Sequence, residues 1–396
     1  MMAPSISPEF LLVATCSIWP PSDARTLAIR QAASDCLDWD RFQRLVARHR
    51  VAGLVHNGLT RARLAIPPDA TREIARQAAE QVQRSLVYAA EAARLQRLFR
   101  EAHLPVVFFK GVSLAMLAYG DFSLRHSKDL DLVIHPDSIL PAAAVLELNG
   151  YRRLQPPSNF SESQLRTWMH RCKEILYVND EKTILVELHC RLFDNLKLMP
   201  DIPDPRTLRI ASITKEIGLC TFGEDDLFAY LCAHGAVDRW FRLKWLADVA
   251  ALLARQPEGG VERLHRAAQV RGLGRPAAQA ILLCHRLVGT VLSDQLIMML
   301  NRDVTVRWLE ALTMNAMTAD REPTEVRFGA TLNALARFLL RSDWYYSLAE
   351  LKIYSISPVD ILTLPLPNQL RALYPFLRLP LWLWRKKLFS RSSKHR

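Results

Sequence analysis

Apolar residues recur along this chain with two different periods, and the switch between them divides it. Residues 22–100 carry the three-and-four spacing of amphipathic helices. The pattern runs through Phe42, Leu45 and Val46 in 38–59 and is broken at Pro67-Pro68. It then predicts a long helix over 69–103, with no internal Gly or Pro. At His103-Leu104-Pro105 the texture changes. Residues 106–109 are a short apolar run ending at Lys110-Gly111, the pattern of a buried strand entering a turn. A short helix over 112–119 follows. Residues 129–134 alternate acid and apolar, as a half-buried strand does. Pro136 opens the next helix where its missing N–H costs nothing, and Gly150 closes it. Two more strands, 175–178 and 183–189, flank the turn-forming Asn179-Asp180-Glu181-Lys182.

From about residue 225 the helical period returns. Residues 226–254 read as one strongly periodic helix, 256–260 as a loop, and helices continue to about 349. The Pro- and Leu-rich stretch 356–380 reads as irregular, packed chain, and Trp344, Tyr345 and Tyr346 as core. The expected class is α+β: a small mixed sheet flanked by N- and C-terminal helical regions. The expected divisions are 1–103, 104–205, 206–350 and 351–396.

Composition narrows the classes. Of 396 residues, 50% are hydrophobic and 23% charged, which excludes a disordered chain. Seven scattered cysteines, an odd number without a C-x-x-C pair, argue against a disulfide framework or a cysteine zinc site and for a reducing compartment. The apolar stretch 10–19 has no Lys or Arg before it, so it lacks the basic flank of a signal peptide. No stretch approaches the ~20 apolar residues needed to span a bilayer. The expectation is a cytoplasmic protein. The net charge is +12, and six of those charges, Arg385, Lys386, Lys387, Arg391, Lys394 and Arg396, lie in the last twelve residues. Such a tail is either solvated or a contact for acidic lipid or nucleic acid. The preceding Leu379-Pro380-Leu381-Trp382-Leu383-Trp384 suits an anionic membrane surface.

Candidate chemistry gathers in the α+β unit. Side chains on a strand alternate between faces, so Asp129 and Asp131 share one face while Leu130, Leu132 and Ile134 share the other. In Leu185-Val186-Glu187-Leu188-His189, Glu187 and His189 share a face opposite Val186 and Leu188. Parallel carboxylates repel unless a cation lies between them. If the two strands are neighbours, Asp129, Asp131 and Glu187 would hold Mg²⁺ or Mn²⁺, in the two-ion arrangement with the ions about 3.5–4 Å apart. Gly111 would begin a helix whose N–H groups hold a phosphate, with Lys110 and Arg125 neutralising a triphosphate. One carboxylate would serve as base toward an attacking hydroxyl.

Lys110-Gly111, Tyr119, Arg125-x-Ser127-x-Asp129-Leu130-Asp131 and Gly150-Tyr151 resemble the uncharacterised nucleotidyltransferase family of the polymerase-β-type superfamily. Glu187-Leu188-His189 is similar to that family's second motif, usually Asp-Leu-His. His234-Gly235 and Trp240 to Asp248 are similar to its third signature. The turn departs from the superfamily's Gly-Ser, since Val112 follows Gly111, and Glu187 is one methylene longer than the commoner Asp. The resemblance implies NTP as substrate, a divalent metal, and NMP transfer to a hydroxyl or amine acceptor with release of pyrophosphate. The expected nucleotide contacts are Lys110, Gly111, Arg125 and Ser127, with Arg242 or Lys244 reaching the phosphates if the later helix packs onto the α+β unit. The acceptor could be a small molecule, sugar, peptide, protein or RNA end. Two alternatives stand beside this reading: a toxin-like or tRNA-modifying enzyme, and a non-catalytic nucleotide-binding protein that keeps the fold.

On a single helix over 226–254, His234, Asp238, Phe241, Trp245 and Asp248 would form one stripe, with Arg242 beside it. The stripe is either a buried polar network or one wall of the nucleotide cleft. His189 is open to three readings: a partner that holds a carboxylate, a substrate contact, or a histidine satisfied in the core. His126 and Lys128 are expected to face away from the acids.

Overall fold

A computed structural model describes residues 6–392 apart from 35–36, 200–201, 323–324, 327, 365 and 367. Helices α1 (Pro8–Cys16), α2 (Asp23–Ala32), α3 (Trp39–His49), α4 (Ala52–Ala62) and α5 (Pro68–Glu101) precede the first strand. The apolar stretch at 10–19 is mostly the buried helix α1, capped by the Ser7 hydroxyl accepting from the Phe10 amide. The pattern over 38–59 is two helices, because Arg50 turns left-handed at φ 57° and ends α3. No described helix is long and apolar enough to cross a membrane.

The central unit contains β1 (Val106–Phe108), α6 (Val112–Tyr119), β2 (Leu130–Ile134), α7 (Ile139–Leu148), β3 (Arg152–Gln155), α8 (Glu162–Met169), β4 (Glu174–Asn179) and β5 (Ile184–His189). Pro136 begins a 3-10 turn before α7 rather than the helix itself. The strands pair in the order β1-β2-β5-β4-β3. Among the described strands of this sheet only β2 and β5 run parallel. The exposed β3 and the helix α8 have no counterpart in the sequence pattern read above. The polar run Arg152–Gln155 carries little strand signal.

One face of the sheet presents Leu130, Leu132, Ile134, Val186 and Leu188 to Leu95 and Phe99 of α5 and Leu146 of α7. Each such side chain contributes about 1.5–3 kcal/mol by leaving water. From the other face Val107, Phe109 and Val133 enter a second and larger core.

A small hairpin, β6 (Arg209–Ser212) and β7 (Gly218–Thr221), leads into α9 (Glu224–Val237), α10 (Leu243–Leu253), α11 (Gly260–Val270), α12 (Gly274–Val288), α13 (Asp294–Leu300) and α14 (Val304–Thr318). Their apolar faces join those of α1 to α4 and α6 in that larger core, so the helices before and after the sheet share one interior.

The helix expected over 226–254 is in fact α9 and α10, separated by a bend. Arg239 and Trp240 both take positive φ, 51° and 50°. The bend folds Trp240 back onto Gly235, where an added Cβ would lie 2.5 Å from the indole ring. Trp240 is fully buried there, and its amide donates to the Gly235 carbonyl at 2.7 Å. The apolar character continues across the bend, because α9 is buried almost all round and α10 keeps a buried face, so the sequence pattern does not reveal it.

The chain then forms α15 (Gly329–Phe338), α16 (Trp344–Ser355), α17 (Pro358–Thr363) and α18 (Tyr374–Ser392). The irregular stretch expected over 356–380 is therefore largely helical. Pro358 sits in the first turn of α17, where it is tolerated. Of the three aromatics expected in a core, only Tyr346 is buried; Trp344 and Tyr345 are exposed. Within the basic tail, Lys394 and Arg396 lie outside the described residues.

Candidate active site

Parallel pairing of β2 with β5 sets Asp131 directly opposite Glu187, and Leu130 opposite Val186. The register matters because one residue of slip would send either carboxylate to the core face. His189 follows Glu187 on the same face. Its Nε2 lies 3.5 Å from Asp131 Oδ1 and 3.4 Å from Glu187 Oε2. Asp131, Glu187 and His189 each offer a ligand atom within 4.8 Å of the others, and together they can hold a metal ion. Asp129 precedes β2 by one residue and faces the same acids. Burial, then the charges of Asp131 and Glu187, push its carboxyl up to about 6.

The cluster is fuller than the sequence pattern indicated. Glu174 pairs across β4–β5 with His189, and its Oε2 is 3.3 Å from His189 Nε2. Lys173 Nζ lies 2.6 Å from the same oxygen. Counting back from the hairpin pair Asn179 and Ile184 brings Glu174 opposite His189. A strand begun at 175 stops one residue short of it.

Lys110 leaves β1 and reaches Asp131 Oδ1 at 2.5 Å. Burial opposes its charge, but Asp131 outweighs that and holds the ammonium well above its ordinary range. Burial would likewise raise Asp131, yet Lys110 and His189 hold it well below the usual carboxylate range. His189 is raised although burial and Lys173 oppose its charge, because Asp131, Glu187 and Glu174 surround it. Asp131 Oδ1 and Glu174 Oε2 are buried and are met by the Lys110 and Lys173 ammonium groups, while the two ring nitrogens of His189 are buried with no hydrogen bond of sound geometry. Buried polar atoms rarely remain so. A carboxylate-rich donor set with an unsatisfied imidazole beside it fits a divalent cation.

Gly111 has φ 64°, a conformation that favours glycine, and caps α6. A Cβ there would lie 3.7 Å from both Ser127 Oγ and the Asp129 carbonyl oxygen, so the turn sits against the loop that carries the acids. Arg125 is paired with Asp248, while Asp131 also favours its charge. It is buried, its Nε donates to both Asp248 oxygens at 3.0 Å, and its Nη1 donates to Ser127 Oγ at 3.1 Å. Tyr119 Oη donates to Asp248 Oδ1 at 3.0 Å. Three positions read separately in the sequence therefore form one clamp that ties α6 and the Ser127 loop to α10.

The expected stripe is divided by the bend. Tyr230 stacks on His234 at 5.7 Å between ring centroids, and Trp245 meets His234 edge-on at 5.3 Å. His234 faces Lys110 and Lys173, and burial followed by these charges takes it well below its ordinary value. Asp238 ends α9, and burial raises its carboxyl. Arg242 points to the N-terminal helices, donating to the Arg48 carbonyl at 2.8 Å and to Glu322 at 2.5 Å. Lys244 does approach the acid loop, with Nζ 3.4 Å from the His126 carbonyl oxygen. Burial, then Arg125 and Arg50, bring Lys244 down to about 7.

The His126 ring sits among cationic side chains. Arg84 Nη1 lies 3.3 Å from its Nε2, and burial, Lys244, Arg50 and Arg84 push it down to about 3. Arg50 and Arg84 come from the N-terminal helices and carry no local sequence signal for a site. Only the tertiary fold brings Arg50 within electrostatic reach of Asp129, with Arg84 near Arg50.

A family model described as uncharacterised nucleotidyltransferase matches residues 35–289, from the approach to α3 through the end of α12. The chain belongs to that family. A search of curated proteins finds no match.

Proposed function

We propose that this protein is a metal-dependent nucleotidyltransferase that moves NMP from an NTP to a hydroxyl or amine acceptor. The observation that carries the reading is the Asp131–Glu187 pairing across parallel strands, with Asp129 beside the glycine turn. Asp129, Asp131 and Glu187 would hold Mg²⁺ or Mn²⁺, and His189 and Glu174 would orient them. A bound divalent ion supplies charge neutralisation on the phosphates and lowers the pKa of the attacking hydroxyl.

The chain's own groups do the rest. The Gly111 turn and the start of α6 receive phosphate oxygens. Ser127, held by Arg125, donates to them, and Lys244 with Arg50 and Arg84 offsets their charge. A carboxylate of the cluster accepts the acceptor's proton. The acceptor oxygen or nitrogen bonds to the α-phosphorus as the bridge to the β-phosphate breaks, and pyrophosphate leaves. The α9–α10 wall, through Tyr230, His234 and Trp245, excludes water.

Incubation with labelled NTPs and Mg²⁺ tests this. Wild type should consume NTP, and Asp129→Ala/Asp131→Ala should not. Equal consumption by both would sink the assignment.

A second reading rests on Lys110. Its ammonium, 2.5 Å from Asp131, already supplies a cation to the acids. A nucleotide-binding protein without turnover would be stabilised thermally by NTP in the absence of any divalent ion. The transferase reading requires the ion for chemistry.

A further inference from the structure

Apolar surface is concentrated on the final helices. On α18, Phe376, Leu379, Leu383 and Trp384 are exposed by 78%, 64%, 47% and 52%, at the spacing of one helical face. Tyr374 and Leu381 of the same helix are buried, and Tyr374 Oη donates to the Leu364 carbonyl at 2.8 Å. The inner side of α18 is thus anchored while these side chains face outward. The neighbouring α16 also exposes Trp344, Tyr345, Leu348 and Leu351. Scattered exposed apolar residues need no explanation, but a contiguous set marks an interaction surface.

Charge decides what that surface meets. From Trp344 to the C-terminus the sequence has two acids, Glu350 and Asp360, and nine Lys or Arg. Both acids are buried. Every exposed formal charge among the described side chains of this region is therefore positive. Five of the cationic residues, Arg385, Lys386, Lys387, Arg391 and Lys394, follow the apolar stretch within ten positions of Trp384.

We propose that α18 lies in the plane of an anionic lipid surface, its apolar face in the acyl boundary, with the basic run that follows Trp384 in the sequence supplying the attraction to acidic headgroups. Tryptophan beside leucine and a following basic run suits that interface, where an amphipathic ring has one side apolar and the other wet. A nucleic acid would engage the cations and leave the apolar face uncovered. A second copy of the chain would cover the apolar face but bring two sets of like charges together. The inference is independent of the catalytic reading.

The test is co-sedimentation of the full chain with vesicles of phosphatidylcholine alone and of phosphatidylcholine with phosphatidylglycerol. Binding should occur only with the anionic lipid and weaken with added salt. Neutralising Lys386 and Lys387 to Gln should lower partitioning about fivefold per charge. Phe376→Glu/Leu383→Glu should abolish binding with the thermal melting curve unchanged, since both positions are exposed. Equal binding to both vesicle types would overturn the proposal. So would absence of binding to either, or unaltered binding by the Glu variant. A concentration-dependent dimer that the Glu variant converts to monomer, without vesicle binding by wild type, would assign the surface to self-association instead.

Discussion

Asp248 and Asp131 are both aspartates almost wholly removed from water, 0% and 3% exposed, and their surroundings differ in kind. Asp248 accepts from Arg125 through both oxygens and from Tyr119, each at 3.0 Å. Its charge is matched and its lone pairs are used. Asp131 shares its face with Asp129 and Glu187, and near Glu174, against Lys110 and His189. Its Oδ1 meets an ammonium but no geometrically sound hydrogen bond. A closed ion pair holds a structure together, whereas several acids gathered on one face around an unsatisfied histidine call for something further. The first cluster positions the second, because Arg125 also holds Ser127 beside the acid loop.

The largest effect expected is on stability, at the closed pair. Asp248→Ala should cost about 3–5 kcal/mol in urea unfolding, because it strands the Arg125 charge in the interior. Asp131→Asn should cost less stability, since it also relieves repulsion with Asp129 and Glu187. It should instead lower NTP consumption roughly a thousandfold, about 4 kcal/mol in the barrier. If Asp131→Asn destabilised as much as Asp248→Ala while turnover persisted, the distinction between the clusters would fail.

Mg²⁺ or Mn²⁺ at a hundred times its dissociation constant should stabilise wild type by about 2.7 kcal/mol. Thermal melting should register this in wild type and in Lys244→Gln, but not in Glu187→Gln. Chelation should reverse it. A shift retained in Glu187→Gln would show that the ion binds elsewhere. A smaller effect is expected at the bend between the helices. Gly235→Ala presses on Trp240 and should cost about 1–3 kcal/mol by overpacking. If its melting curve matched wild type, the bend would not depend on that close approach.

Much of the acid site was legible in sequence because strand alternation is strict. Asp131 and Glu187 had to share faces with Asp129 and His189, opposite leucine and valine. The Lys110-Gly111 turn and the short helix after it were equally plain, since a left-handed glycine ends a strand sharply. Glu174 was hidden by one residue of strand boundary. That Arg125 pairs with Asp248 was not legible, because an arginine beside two aspartates looks the same whether it faces them or a distant acid. Its partner lies 123 positions further along the chain.

Local pattern by itself determined the α+β class, the two-period organisation, the long helix α5 and the face on which each strand acid lies. These follow from backbone geometry, which repeats every few residues. Tertiary structure decided that β5 runs parallel beside β2, that α9 and α10 bend apart over Trp240, and that Arg50 comes near Asp129. It also decided that the final helices expose an apolar face. Each depends on which distant surfaces exclude water together, and no short window of sequence records that.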